Sequence, residues 1–100
     1  MSLDPYIRGT MNSLSYGRRL SYPRKMTCGC VAQVVESRNA AFPVGALVNG
    51  TFGWCDYAVS SGTGVRIVPN DWKRTWALGV LGMPGATAYY GLTEIINPQP

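Results

Sequence analysis

The sequence predicts a mainly β domain, a small barrel or sandwich, followed by helices. Three observations carry this. Short β-branched or aromatic runs recur at about ten-residue spacings between turn signals. Twelve glycines and seven prolines are more than a helical bundle wants, and they suit tight turns. After Pro69 the alternating pattern gives way to helical periodicity. At 100 residues the chain makes at most one domain, with modest stability to spare.

The elements follow in order. Residues 4–12 can open a short helix, with Asp4 as N-cap and Pro5 at the first helical position. Gly9 limits its length. Residues 13–25 are polar, scatter Tyr16, Tyr22 and Pro23 without period, and read as a loop. Val31-Ala32-Gln33-Val34-Val35-Glu36 reads as a strand and Phe42-Pro43-Val44-Gly45 as a turn. Ala46 to Phe52 is a second strand and Trp54 to Val59 a third. Ser60 to Gly64 is a loop, and Val65-Arg66-Ile67-Val68 a fourth strand. Asp71 can cap a helix that includes Trp76, Ala77, Leu78, Val80 and Leu81, interrupted at Gly82-Met83-Pro84-Gly85. Ala86 to Ile96 reads as a second helix, ended by Asn97-Pro98.

Composition excludes several functions. The chain is 46% hydrophobic and 14% charged, as a globular protein is. Its net charge of +4 comes from small pairs, Arg18-Arg19, Arg24-Lys25 and Lys73-Arg74, not from the dense stripe that nucleic acid requires. Solvated loop charge explains them; a positive field that recruits an anionic cofactor or substrate is the alternative. Three cysteines, an odd number, do not make a secreted disulfide framework. Cys28 and Cys30 lie two apart, on one side of an extended segment, where neighbours are poorly placed to bridge. With no histidine, His-based triads, His general bases and His-containing metal sites are excluded within the chain. No apolar run approaches the roughly 20 residues of a membrane span. The first residues lack the basic and apolar regions of a signal peptide, so a reducing cytoplasmic setting is the expectation.

Five segments, in order and at consistent spacing, resemble one family. They are Leu3-Asp4-Pro5-Tyr6-Ile7-Arg8-Gly9; Val34-Val35-Glu36-Ser37; Phe42-Pro43-Val44-Gly45; Gly53-Trp54-Cys55-Asp56-Tyr57-Ala58-Val59; and Leu78 to Tyr89 around Gly82-Met83-Pro84-Gly85. The chain is similar throughout to zinc-independent reductases of the medium-chain dehydrogenase/reductase superfamily. These include prostaglandin reductases, plant alkenal double-bond reductases and bacterial curcumin reductases.

The resemblance implies a GroES-like β-barrel, partial over residues 1–70, then a helical connector over residues 71–100 leading toward a Rossmann domain that this fragment lacks. It implies an NADPH-dependent parent that delivers hydride to the β-carbon of an α,β-unsaturated aldehyde or ketone and then protonates the product. A homodimeric parent is also among its implications. The fragment alone is expected to be inactive and to hold no metal, since Asp4-Pro5-Tyr6 stands where zinc-dependent relatives place a ligand cysteine. A hydroxyl must then polarise the carbonyl, as an uncharged phenol can.

By the same resemblance, Tyr6 lines the substrate pocket; otherwise it is a packed aromatic with a satisfied hydroxyl. Phe52 and Trp54 belong to the pocket wall or to the barrel core. Met83 and Thr87 lie against the nicotinamide, where Thr87 would hydrogen-bond the carboxamide, or they pack between domains. Tyr89 and Tyr90 read as structural. Cys28 and Ala32 depart from the pattern, standing where close relatives usually carry glycine, and residues 13–25 resemble no relative. A quinone reductase fragment and a truncated, non-catalytic interaction module are the competing readings.

Overall fold

Strand β2 (Leu47–Thr51) is the centre around which the described residues, 1–12 and 26–99 of this computed structural model, are arranged. It pairs antiparallel with β1 (Gly29–Gln33) on one side and with β3 (Arg66–Val68) on the other. Cys30 lies opposite Gly50, and Leu47 opposite both Gln33 and Val68. The turn at Phe42 to Gly45 sets this register. Ala46 N–H donates to the Pro43 carbonyl at 3.1 Å, while Gly45 N–H reaches back to Val34 at 2.8 Å and Val34 N–H to Ala46 at 2.9 Å. Gly45 has φ +90°, a left-handed conformation that glycine adopts without steric penalty.

The alternation of side chains gives the sheet two unlike faces. Ile7, Cys28 and Cys30 close one face, with Met26 and Phe52 packed against them. Ile7 comes from helix α1 (Pro5–Asn12). Its N–H donates to the Asp4 carbonyl at 3.0 Å, so the helix starts where the sequence predicts. Gly50 is needed here because a Cβ at that position would stand 2.7 Å from Phe52 Cζ. On the other face Leu47, Val68 and Ala77 form a second cluster, joined by Val31 and Trp72. Asn49 lies on that face, and its Nδ2 donates to the Ala77 carbonyl at 3.2 Å.

Three expectations change. The first strand is displaced toward the N-terminus: Val35 and Glu36 are exposed, and β1 begins at Gly29. Trp54 to Val59 is not a strand. Its backbone makes no ladder with the three-stranded sheet, and Tyr57 and Val59 face solvent. Residues 71–82 form consecutive turns instead of a helix. The amides of Trp76, Gly79 and Leu81 bond three, four and five residues back in succession. Glycine is the physical reason. A Cβ at Gly82 would lie 2.6 Å from the Ala77 carbonyl oxygen, and one at Gly85 would be driven into the Val80 carbonyl. The chain therefore folds back on itself more tightly than an α-helix allows.

Helix α2 (Met83–Tyr90) then begins inside the Gly-Met-Pro-Gly segment, with a proline in its first turn. It passes directly into a π-helical segment, Gly91–Ile96, within the stretch that the sequence reads as the second helix. Asn97 ends it with φ 45°, its N–H donating to Leu92 at 2.8 Å. The Asn97-Pro98 stop is where the sequence places it.

Candidate substrate and cofactor clefts

The turns of residues 71–82 arch over the Asn49 face of the sheet and leave an open cleft of about 780 Å³. Three regions far apart in sequence supply its rim. The N-terminal segment brings Ser2, Asp4 and Tyr6; the sheet brings Asn49 and Arg66; the start of α2 brings Met83. Ser2 is fixed from both sides. Its N–H donates to the Gly29 carbonyl at 2.8 Å, and its own carbonyl accepts from the Trp54 indole Nε1–H at 3.3 Å. The Ser2 hydroxyl is shut off from solvent and has no hydrogen-bond partner among the described residues. A buried hydroxyl in that state costs free energy until something pairs with it.

The five candidate residues fall into three places. Tyr6, 43% exposed, and Met83 stand on the same cleft. Thr87 lies one helical turn beyond Met83 and borders a second, mainly apolar hollow of about 520 Å³. Met83, Tyr90 and Ile95 also line it. Thr87 Oγ1 donates to the Met83 carbonyl at 2.8 Å, so its proton is engaged and only its lone pairs face outward. Phe52 packs on the Cys28–Cys30 cluster behind the sheet, outside the cleft lining. Trp54 also lies outside it and acts on the cleft through its bond to Ser2.

Sequence reasoning missed Ser2, Asn49 and Arg66. Asn49 and Arg66 sit directly opposite each other across β2 and β3. A polar residue alternating with apolar ones was visible in both runs. What no single sequence shows is that this polar face lies under an arch and not in open solvent. Among the described residues, no group of three or more His, Cys, Asp or Glu side chains converges as a metal site.

Comparison with known proteins bears on the fold and the family. Residues 1–68 match the family described as the N-terminal domain of oxidoreductase. The chain is 40% identical over 99 residues to prostaglandin reductase 1 of Rattus norvegicus, covering 95% of this chain and 28% of that protein. It is 44% identical over 101 residues to the NADPH-dependent curcumin reductase of Escherichia coli K12, covering 99% of this chain and 29% of that protein. It superposes on the crystal structure of CurA from Vibrio vulnificus with a TM-score of 0.81 at 43% identity, covering 98% of this chain and 30% of that one. The fold is therefore GroES-like, as the N-terminal part of an oxidoreductase. The chain belongs to the zinc-independent medium-chain dehydrogenase/reductase family, in its double-bond reductase branch. It spans less than a third of the length of the relatives it matches.

Proposed function

We propose that this chain is the substrate-side part of an NADPH-dependent reductase acting on the C=C bond of α,β-unsaturated aldehydes or ketones. The observation that carries the proposal is the cleft, where the Asp4-Pro5-Tyr6 segment and Met83 meet although they lie at opposite ends of the chain. Residues 1–70 supply the partial barrel and residues 71–100 the connector toward the nucleotide-binding part.

The residues present fit the nicotinamide end of the cofactor. The second hollow is mostly apolar and suits a flat ring, and the outward lone pairs of Thr87 can accept from a carboxamide N–H. The described residues supply no glycine-rich phosphate cradle, so the phosphates belong elsewhere. When bound, NADPH supplies the hydride. Tyr6 orients the substrate carbonyl and donates a hydrogen bond to its oxygen as negative charge develops there. Met83 gives the reacting atoms a dry, apolar flank. Phe52 and Trp54 hold the wall, Phe52 from behind the sheet and Trp54 through Ser2.

A domain exchange tests this. The chain replaces the matching segment of the E. coli curcumin reductase, and NADPH consumption with an alkenal or enone is followed. Activity at a useful fraction of the parent's supports the reading. A chimera that folds and binds NADPH but reduces no enone or enal overturns it.

A further inference from the structure

Behind the sheet, on the face away from the cleft, the Cys28 and Cys30 sulfurs lie 3.4 Å apart. The strand geometry causes this. Residues two apart in an extended segment project to the same side, and Gly29 between them faces the opposite way, toward Ser2 and Leu78. Both thiols are buried, at 1% and 3% exposure. The Cys30 thiol also lies 3.4 Å from the Gly53 carbonyl. Burial, then the hydrogen bond and the charge of the Cys30 thiol, push the Cys28 thiol up to about 11. The Cys28 group is therefore a neutral S–H at ordinary pH, and single-thiol alkylators, which need thiolate, find it a poor target. The third cysteine differs: Cys55 is half-buried and its sulfur turns to the Phe52 carbonyl at 3.4 Å.

We infer that Cys28 and Cys30 form a dithiol site for a trivalent organic arsenical, which takes both sulfurs at once. The spacing of the sulfurs selects the class of ligand. With bonds of about 2.3 Å, a linear two-coordinate cation holds its sulfurs about 4.6 Å apart, whereas a pyramidal centre with bond angles near a right angle holds them about 3.3 Å apart. The observed 3.4 Å fits the second. A tetrahedral zinc site is not formed, since no third ligand joins the pair among the described residues. The step balances without an oxidant. The arsenoxide As=O is replaced by two As–S bonds, both thiol protons leave with the oxygen as water, and neither arsenic nor sulfur changes oxidation state. The neutral Cys28 thiol suits this reaction because its proton is consumed in it. Ile7 and Phe52 cover the pair, so capture waits on their local opening and is slow.

The intact protein is incubated in native buffer with phenylarsine oxide, treated with N-ethylmaleimide, unfolded and digested with trypsin. The expected result is one arsenical on the peptide Met26–Arg38, bridging both cysteines, with maleimide on Cys55. The adduct should survive a large excess of glutathione and be released by dithiothreitol. Cys28→Ser or Cys30→Ser should weaken capture by at least about a hundredfold, because the second sulfur of a short chelate acts at high effective concentration. The peptide map of the unmutated protein stands even if a variant fails to fold. An adduct on Cys55, capture only after unfolding, or equal capture by the Cys28→Ser variant would each overturn the proposal.

Discussion

The two faces of the three-stranded sheet solve opposite problems. Behind it Ile7, Cys28 and Cys30 are each 3% exposed or less, and a phenylalanine ring lies where a glycine leaves room for it. In front, the cleft holds a serine hydroxyl with no partner among the described residues, an exposed arginine and a tyrosine that is 43% exposed. One sheet thus has a sealed side and a side that carries the cleft. The closed face is sealed by apolar burial, while the open face carries an apolar cluster of its own beneath an exposed cleft rim. Substitutions behind the sheet should change folding, and substitutions at the exposed cleft rim should change folding least.

The largest break in that division should come from Ile7→Ala. It removes the one aliphatic side chain buried in the closed cluster and should cost about 2–5 kcal/mol, read as a fall in the urea midpoint. A variant as stable as the parent would show that the closed face is not the stabilising one.

Gly50→Ala should cost about 1–3 kcal/mol by pushing the Phe52 ring off the cluster. It should also speed maleimide labelling of Cys28 and Cys30. Adding Phe52→Ala should leave no further clash to relieve, so the two costs would not sum.

Alkaline pH probes the same face without mutation. The Cys28 thiol is raised from 9.0 to about 11 in the folded chain, so the native state holds this proton more tightly than the unfolded state does. Its contribution is complete below pH 9 and is lost as pH rises through 11. The loss should be on the order of 2 kcal/mol. Comparing urea midpoints of the parent and Cys28→Val across that window isolates it. Parallel curves would mean that Cys28 is not desolvated.

Tyr6→Phe should have the smallest effect on stability and a clear effect on chemistry. Melting should shift by less than about 0.5 kcal/mol, since the ring remains. In the chimeric reductase the lost hydrogen bond should cost about 1–3 kcal/mol of transition-state stabilisation, roughly 5- to 150-fold in kcat/KM. Unchanged efficiency would remove Tyr6 from the site; stability and activity falling together would make it a packing residue.

Much of the strand framework was legible in the sequence, while the buried cluster of Ile7, Cys28 and Cys30 was not. The β-branched runs place β2 and β3 almost to the residue, and Asp4-Pro5 starts α1 correctly. The misplacements have local causes. Val34-Val35-Glu36 looked like the strand's end, but the ladder follows the partner, and β2 offers positions opposite Gly29 to Gln33. Trp54 to Val59 has strand composition but joins neither outer edge of the three-stranded sheet. In residues 71–82 apolar spacing suggested a helix, and close backbone approach at Gly82 and Gly85 overrode it. The site was legible only in its chemistry. Tyr6 and Met83 could be named singly, but their shared cleft depends on an arch that no local pattern encodes.

The bond from the Trp54 indole to the Ser2 carbonyl gives the molecule a built-in optical probe. Trp72 packs in the cluster beneath the arch, and Trp76 stands near the Lys73 ammonium, 5.7 Å from its ring centroid. The three indoles thus occupy three different electrical and solvent environments. Release of the Ser2 segment would alter the emission of Trp54, and lifting of residues 71–82 off the sheet that of Trp72. Single-tryptophan versions of the chain would let these two motions be timed separately by fluorescence, with no label attached.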